Sequence, residues 1–233
     1  MHNPLSRSRP DDFEAWSGRF LSLAEGPFSL PLGGESGLVA GYRDDPSPLA
    51  ERFRRPMRFA LPLARWICTE PGPFRKSPSA PVPPTMPSWW VALLDAAPLP
   101  QLTPEGPLLP EDPEEAIEVW SEHELAALHA AWWIARSNND LRNRIDAAVR
   151  WHTENLQPDN ATNHPWAVHV FAEFALRTGD ADARLHADTI CSNYQVLQSQ
   201  AARPIAEEPE DRADLFSALI MLDASRAMRS AAR

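Results

Sequence analysis

The sequence predicts a mainly α protein: antiparallel helical hairpins preceded by a proline-rich, largely irregular N-terminal arm that packs on them. Three observations carry this. Of the 25 prolines, 21 fall within residues 1–113, and a residue that lacks a backbone donor and blocks helix interiors leaves little room there for long helices. Beyond residue 113, helix start and stop residues recur with short loops between them, and short loops force consecutive helices antiparallel. The hydrophobic content of 43% is that of a water-soluble globular chain, and the longest apolar windows are broken by Arg, Asp or Pro, so no bilayer span of roughly 20 residues is encoded. The division this predicts is an arm over 1–112 and a helical-hairpin domain over 113–233.

Within the arm, short helices are expected near Asp11–Glu25, Pro48–Arg54 and Ser88–Ala96. The runs from Pro71 to Pro87 and from Pro98 to Pro110 read as polyproline-type connectors. Trp89, Trp90, Leu93, Leu94, Leu99, Leu108 and Leu109 are interleaved with those prolines, and a free linker has no use for so much apolar surface. The arm is therefore expected to lie on the helices.

The first long helix is expected from Asp112-Pro113-Glu114-Glu115, an N-cap, a first-turn proline and two acids suited to the helix dipole. It runs to about Ser137, with Val119, Trp120, Leu125, Leu128, Trp132 and Trp133 along one broad face. Asn138-Asn139-Asp140 breaks it, and a second helix, Leu141 to Leu156, repeats the amphipathic pattern through Ile145, Ala148, Val149 and His152. A third starts after Thr162-Asn163-His164 with Pro165 in its first turn and stops at Thr178-Gly179; it is apolar almost all round, the mark of a helix enclosed by neighbours. A fourth follows from Asp180 to about Gln200, and a fifth spans Asp211 to Met228.

Charge narrows the partners. Acidic residues outnumber basic ones 32 to 22, and no basic stripe of the kind a phosphate backbone requires is present, so nucleic acid is not an expected ligand. Cys68 and Cys191 stand 123 residues apart without a Cys-x-x-Cys pair, which reads as two buried thiols rather than a disulfide framework or a zinc knuckle. The opening residues have no apolar segment behind Arg7 and Arg9, which points to the cytoplasm.

Few residues suggest chemistry. Thr162, Asn163 and His164 directly precede Pro165, where helix-capping residues belong. His169 and Glu173 are four apart on one helix face; they can pair or supply two metal ligands, and with no third ligand fixed by spacing the buried pair is preferred and no metal is expected. His129 and His186 are expected at helix contacts. Dinucleotide, phosphate-loop, zinc-protease and nucleophile-elbow signatures are all missing.

The run from Asn160 to Asp180 resembles the inner-helix hairpins of alpha/alpha-toroid proteins, the architecture of terpenoid cyclases, six-hairpin glycosidases and several polysaccharide lyases. Asn163, His164 and Trp166 match the order in which some of those lyases open an inner helix onto a sugar cleft, and the Thr178-Gly179-Asp180 turn is also of that type. Five helices cannot close a six-hairpin ring, so the resemblance implies a partial toroid. It also implies β-elimination on an acidic sugar polymer, with Asn163 neutralising a uronate carboxylate, His164 or Tyr194 as general base, and Trp166, His169 and Glu173 about the ligand. A net charge of −10 would repel such a polyanion. The reading preferred from the residues is accordingly a soluble helical-hairpin module, without cofactor, that acts through protein contact or small-ligand binding and can self-associate; the carbohydrate-active enzyme is its alternative.

Overall fold

The structure, a computed structural model, describes residues 11–25, 63, 65–67, 80–156, 164–201 and 213–233. Among them the chain is mainly helical: α1 (Phe13–Glu25), α2 (Met86–Asp95), α3 (Ile117–Ala135), α4 (Asn139–Asn155), α5 (Val168–Thr178), α6 (Ala181–Ala201) and α7 (Ala213–Ala231). No described helix is long and apolar enough to cross a membrane. The expected helix near Pro48–Arg54 lies outside the described residues, as do Cys68, Thr162 and Asn163.

Local chemistry explains most of the boundaries. Helix α2 opens on a capping box, in which Thr85 and Ser88 each accept from the other's backbone N–H and Pro87 occupies the first turn, where its missing donor costs nothing. Asn138 caps α4 by accepting from Leu141 N at 3.1 Å, and Asp180 caps α6 by accepting from Ala183 N at 2.8 Å. Gly179, at φ +76°, closes α5 in the left-handed region that a glycine enters without a Cβ penalty.

Helix α4 begins at Asn139, two residues before the expected Leu141, and two other starts come later than the sequence predicts. Asp112 caps a separate turn, accepting from Glu114 N at 2.9 Å, and α3 begins only at Ile117; Val119, expected on its apolar face, is 46% exposed. Helix α5 begins at Val168 rather than at Pro165, because Ala167 adopts φ +55° and turns the chain before the helix can propagate.

A second alanine with positive φ, Ala96 at +50°, ends α2 and is exposed. Ala96→Gly is expected to raise stability by about 0.5–1 kcal/mol in urea denaturation, since relief of the left-handed Cβ clash outweighs the added freedom of the unfolded chain.

One continuous apolar core runs through both halves of the sequence. Residues Val168 to Ala175 of α5 are all buried, at the centre of that core. Helix α1 lies chiefly on α7 and α2 on α3. The α1–α7 contact is close because small residues meet: Ser17 Oγ and Ser225 Oγ are 2.9 Å apart, and Arg229 reaches both hydroxyls. Arg19 of α1 also pairs with Asp188 of α6 and stacks over Trp16. An isolated parallel bridge joins Val82, ahead of α2, to Pro100, behind it, and leads into a strap over residues 101–110.

Candidate functional site

The turn that delivers α5 is the meeting point of one set of buried polar groups. Its unusual Ala167 conformation aims the Ala167 N–H at His129 Nδ1, 3.3 Å away on α3. A nitrogen that accepts carries no proton, so the His129 hydrogen sits on Nε2 and is donated to Asp223 Oδ2 of α7 at 2.8 Å. Trp133 Nε1 donates to the same oxygen at 2.8 Å. The second Asp223 oxygen faces Arg226 Nε at 3.2 Å. Burial pushes the Asp223 carboxyl up, but the Arg226 charge and the His129 hydrogen bond outweigh it and bring it down to about 2.

Arg226 is itself held between two tryptophans, its guanidinium 5.0 Å from the ring centres of both Trp66 and Trp133, and donates to the Ile67 carbonyl at 3.0 Å. Asp223 and Arg226 thus tie α7 to α3 and to the helical stretch 65–67. His129 is enclosed by the rings of Trp90, at 5.9 Å, and Trp166, at 5.3 Å. His169 of α5 stands edge-on to His129 at 4.4 Å and to Trp132 at 4.8 Å.

Asn163 lies outside the described residues, and the other sequence-predicted site residues are buried or half-buried in the helix packing. His164 is half-buried and its Nδ1 lies 2.8 Å from Ser217 Oγ of α7; burial lowers its pKa to about 4, so the ring is neutral at pH 7. Trp166 is fully buried, with its Nε1 donating to Glu122 Oε1 at 2.8 Å. Tyr194 is buried on α6. The expected His169–Glu173 pair does not form. Glu173 instead accepts from Arg142 at 3.3 Å and Arg177 at 3.2 Å, because guanidinium groups at the α4–α5 edge outcompete a neutral imidazole for a carboxylate. Both ring nitrogens of His169 are left without a hydrogen-bond partner. No cluster of three or more His, Cys, Asp or Glu among the described residues could hold a metal ion. The fully buried Cys191 thiol is pushed up to about 12, so it is unreactive near neutral pH.

A second polar cluster binds the strap. Glu124 of α3, fully buried, accepts from Leu108 N at 2.8 Å and Leu109 N at 2.7 Å, one with each carboxylate oxygen, while His152 Nε2 of α4 lies 3.3 Å away. Arg144 of α4 donates to the carbonyls of Thr103, Glu105 and Pro107, and Trp120 Nε1 donates to Pro110 O at 3.0 Å. These contacts go mostly to main-chain atoms, which suits a proline-rich segment short of backbone donors and rich in free carbonyls. Beside the strap, Leu102, Thr103, Pro104, Asp140, Asn143 and Arg144 line a shallow, open groove of about 380 Å³.

Sequence reasoning did not single out Glu124, Arg144 or Asp223. Glu124 sits four residues after Trp120 and four before Leu128, and Asp223 four after Leu219 and four before Ala227, so each interrupts the apolar stripe of its helix. A carboxylate in such a stripe signals a partner elsewhere. The chain matches no family model, no curated protein and no solved structure.

Proposed function

We propose that this chain is a non-catalytic helical module that works through protein contact, built as antiparallel hairpins in a partial alpha/alpha toroid with the proline-rich arm strapped across it, and that it works in the cytoplasm. The observation that carries this reading is where the chemistry-bearing side chains lie. Trp166, His169, Glu173 and Tyr194 are each at least nine-tenths buried, so none can receive a solvent-borne sugar. His164 is tied to Ser217. A base lowered to about 4 is also poorly matched to abstracting a carbon-bound proton near neutral pH.

The surface supports contact instead. Leu185 and Val196 are about half exposed on α6 and eleven residues apart, which places them on one face, with Leu197 beside it; Ile117 and Val119 are similarly exposed at the start of α3. The acidic balance disfavours nucleic acid as the partner and leaves another protein, a second copy of the chain included.

Thermal-shift measurement against neutral and uronate oligosaccharides tests the reading. A saccharide that bound would add about 2.7 kcal/mol of stability at 100 times its dissociation constant; no shift is expected. A shift that His164→Ala abolishes would overturn the proposal in favour of the carbohydrate-active enzyme.

A further inference from the structure

His169 is fully buried and has no hydrogen-bond partner for either ring nitrogen. Other buried groups among the described residues lack a hydrogen-bond partner too, Trp66 Nε1, Trp89 Nε1, Trp90 Nε1 and Ser121 Oγ among them, but none of these takes up a proton near neutral pH; an orphaned imidazole can, and a group of that kind marks strain or a switch. We propose that the His129–His169 junction is an acid-operated joint: protonation of His169 forces α5 away from α3 and α7 and loosens the packing that holds these helices to one another. This inference stands apart from the protein-contact reading.

The argument is one of available partners. An imidazolium carries two N–H donors, and both would point into aromatic surroundings. The groups facing His169 from α3 are His129 and Trp132. His129 cannot accept a proton from it, since its Nδ1 is taken by Ala167 N–H and its Nε2 hydrogen by Asp223. From α7 the charged groups are Asp223 and Arg226, already engaged with His129, Trp133 and each other. Helix α2 contributes Trp90, which stacks on His129 and does not titrate.

The remaining ionisable groups around α5 address other residues. His152 of α4 and His186 of α6 meet Phe171. Arg142 and Asp146 of α4 meet Glu173 and Arg177. His164, in the turn before the helix, meets Ser217. On α1, Arg19 is engaged with Asp188. A proton on His169 therefore finds the Trp132 ring and a second imidazole but no anion free to receive it. Burial, then the neighbouring His129, hold its pKa well below 6.5, against a smaller opposing pull from Asp223.

The sign of the pH dependence follows. A histidine whose folded pKa is depressed takes up a proton on unfolding between its folded and unfolded values, so its stabilisation is complete above about 6.5 and is lost as the pH falls. Asp223 contributes only lower, between 3.8 and about 2.

Urea denaturation of the full chain from pH 8 to pH 4, followed by near-ultraviolet circular dichroism of the tryptophans, reads this directly. Below about pH 6.5 the unfolding constant of the wild-type chain is expected to rise by up to about tenfold per pH unit for each histidine held neutral. His169→Phe and His169→Gln are expected to lose one such tenfold share, while the share of His164 persists in both. An unchanged slope in either variant would overturn the proposal. So would a histidine-ring NMR titration of the wild-type chain showing His169 protonated with the native aromatic spectrum intact, a measurement that needs no variant to fold.

Discussion

Asp223→Ala is expected to destabilise the fold by about 3–5 kcal/mol in urea denaturation, the cost of removing one partner from a buried ion pair. Three groups lose their acceptor together. His129 Nε2–H and Trp133 Nε1–H both donate to Oδ2, and Arg226 faces Oδ1. His129 and Trp133 cannot turn to water, because both are buried with the carboxylate, and Arg226, 16% exposed, is wedged between Trp66 and Trp133. Asp223→Asn is expected to recover only part of the loss, since the amide keeps the shape and one acceptor but lacks the carboxylate charge that faces Arg226. The double change Asp223→Asn with Arg226→Met separates charge from shape. Because it removes both partners, it is expected to be less destabilising than Asp223→Asn alone, whereas two independent contributions would simply add.

Glu124→Gln is expected to cost about 2–3 kcal/mol, in the range for a lost hydrogen bond to a buried charged group. The two carboxylate oxygens each take one backbone amide, from Leu108 and from Leu109. A glutamine offers one oxygen and one NH2, so one of the two amides would face a donor. The strap is the element that should respond. Thermolysin cleavage at Leu108 and Leu109, which are buried in the intact protein, is expected to accelerate in the variant while the far-ultraviolet helical signal is kept. Loss of strap and helices together would show instead that Glu124 supports the whole core, and cleavage as slow as in the wild type would show that Arg144 and Trp120 suffice to hold the strap.

These two carboxylates also mark where the sequence stops being readable. Features carried by one residue and its near neighbours were legible: Asn138 as a break, Asp180 as a helix start, Gly179 as a stop, and α5 as an enclosed helix because its apolar residues run almost all round. Two helix starts were misread by a few residues where a competing turn intervened. Asp112 spends its side chain on the turn at Glu114. Ala167, which no propensity scale would place in the left-handed region, is held there while its N–H serves His129. The pairings that assemble the candidate site were beyond reach, because His129 meets Asp223 across 94 residues and Glu173 chose arginines from another helix over the histidine one turn away. Helical spacing identifies the side chains that share a face; which face of which helix they meet is decided by the tertiary packing.

The contact between α1 and α7 has a consequence in time. Ser17 and Ser225 are 208 residues apart, and at a synthesis rate of about 5–20 residues per second the helix carrying Trp16, Phe20 and Leu23 waits roughly 10–40 s for the surface that covers it. Throughout that interval a row of large apolar side chains has no native partner from α7, and the fold cannot be completed from its N-terminal end forward. Any message truncated before α7 yields a product whose first helix lacks its main native contact.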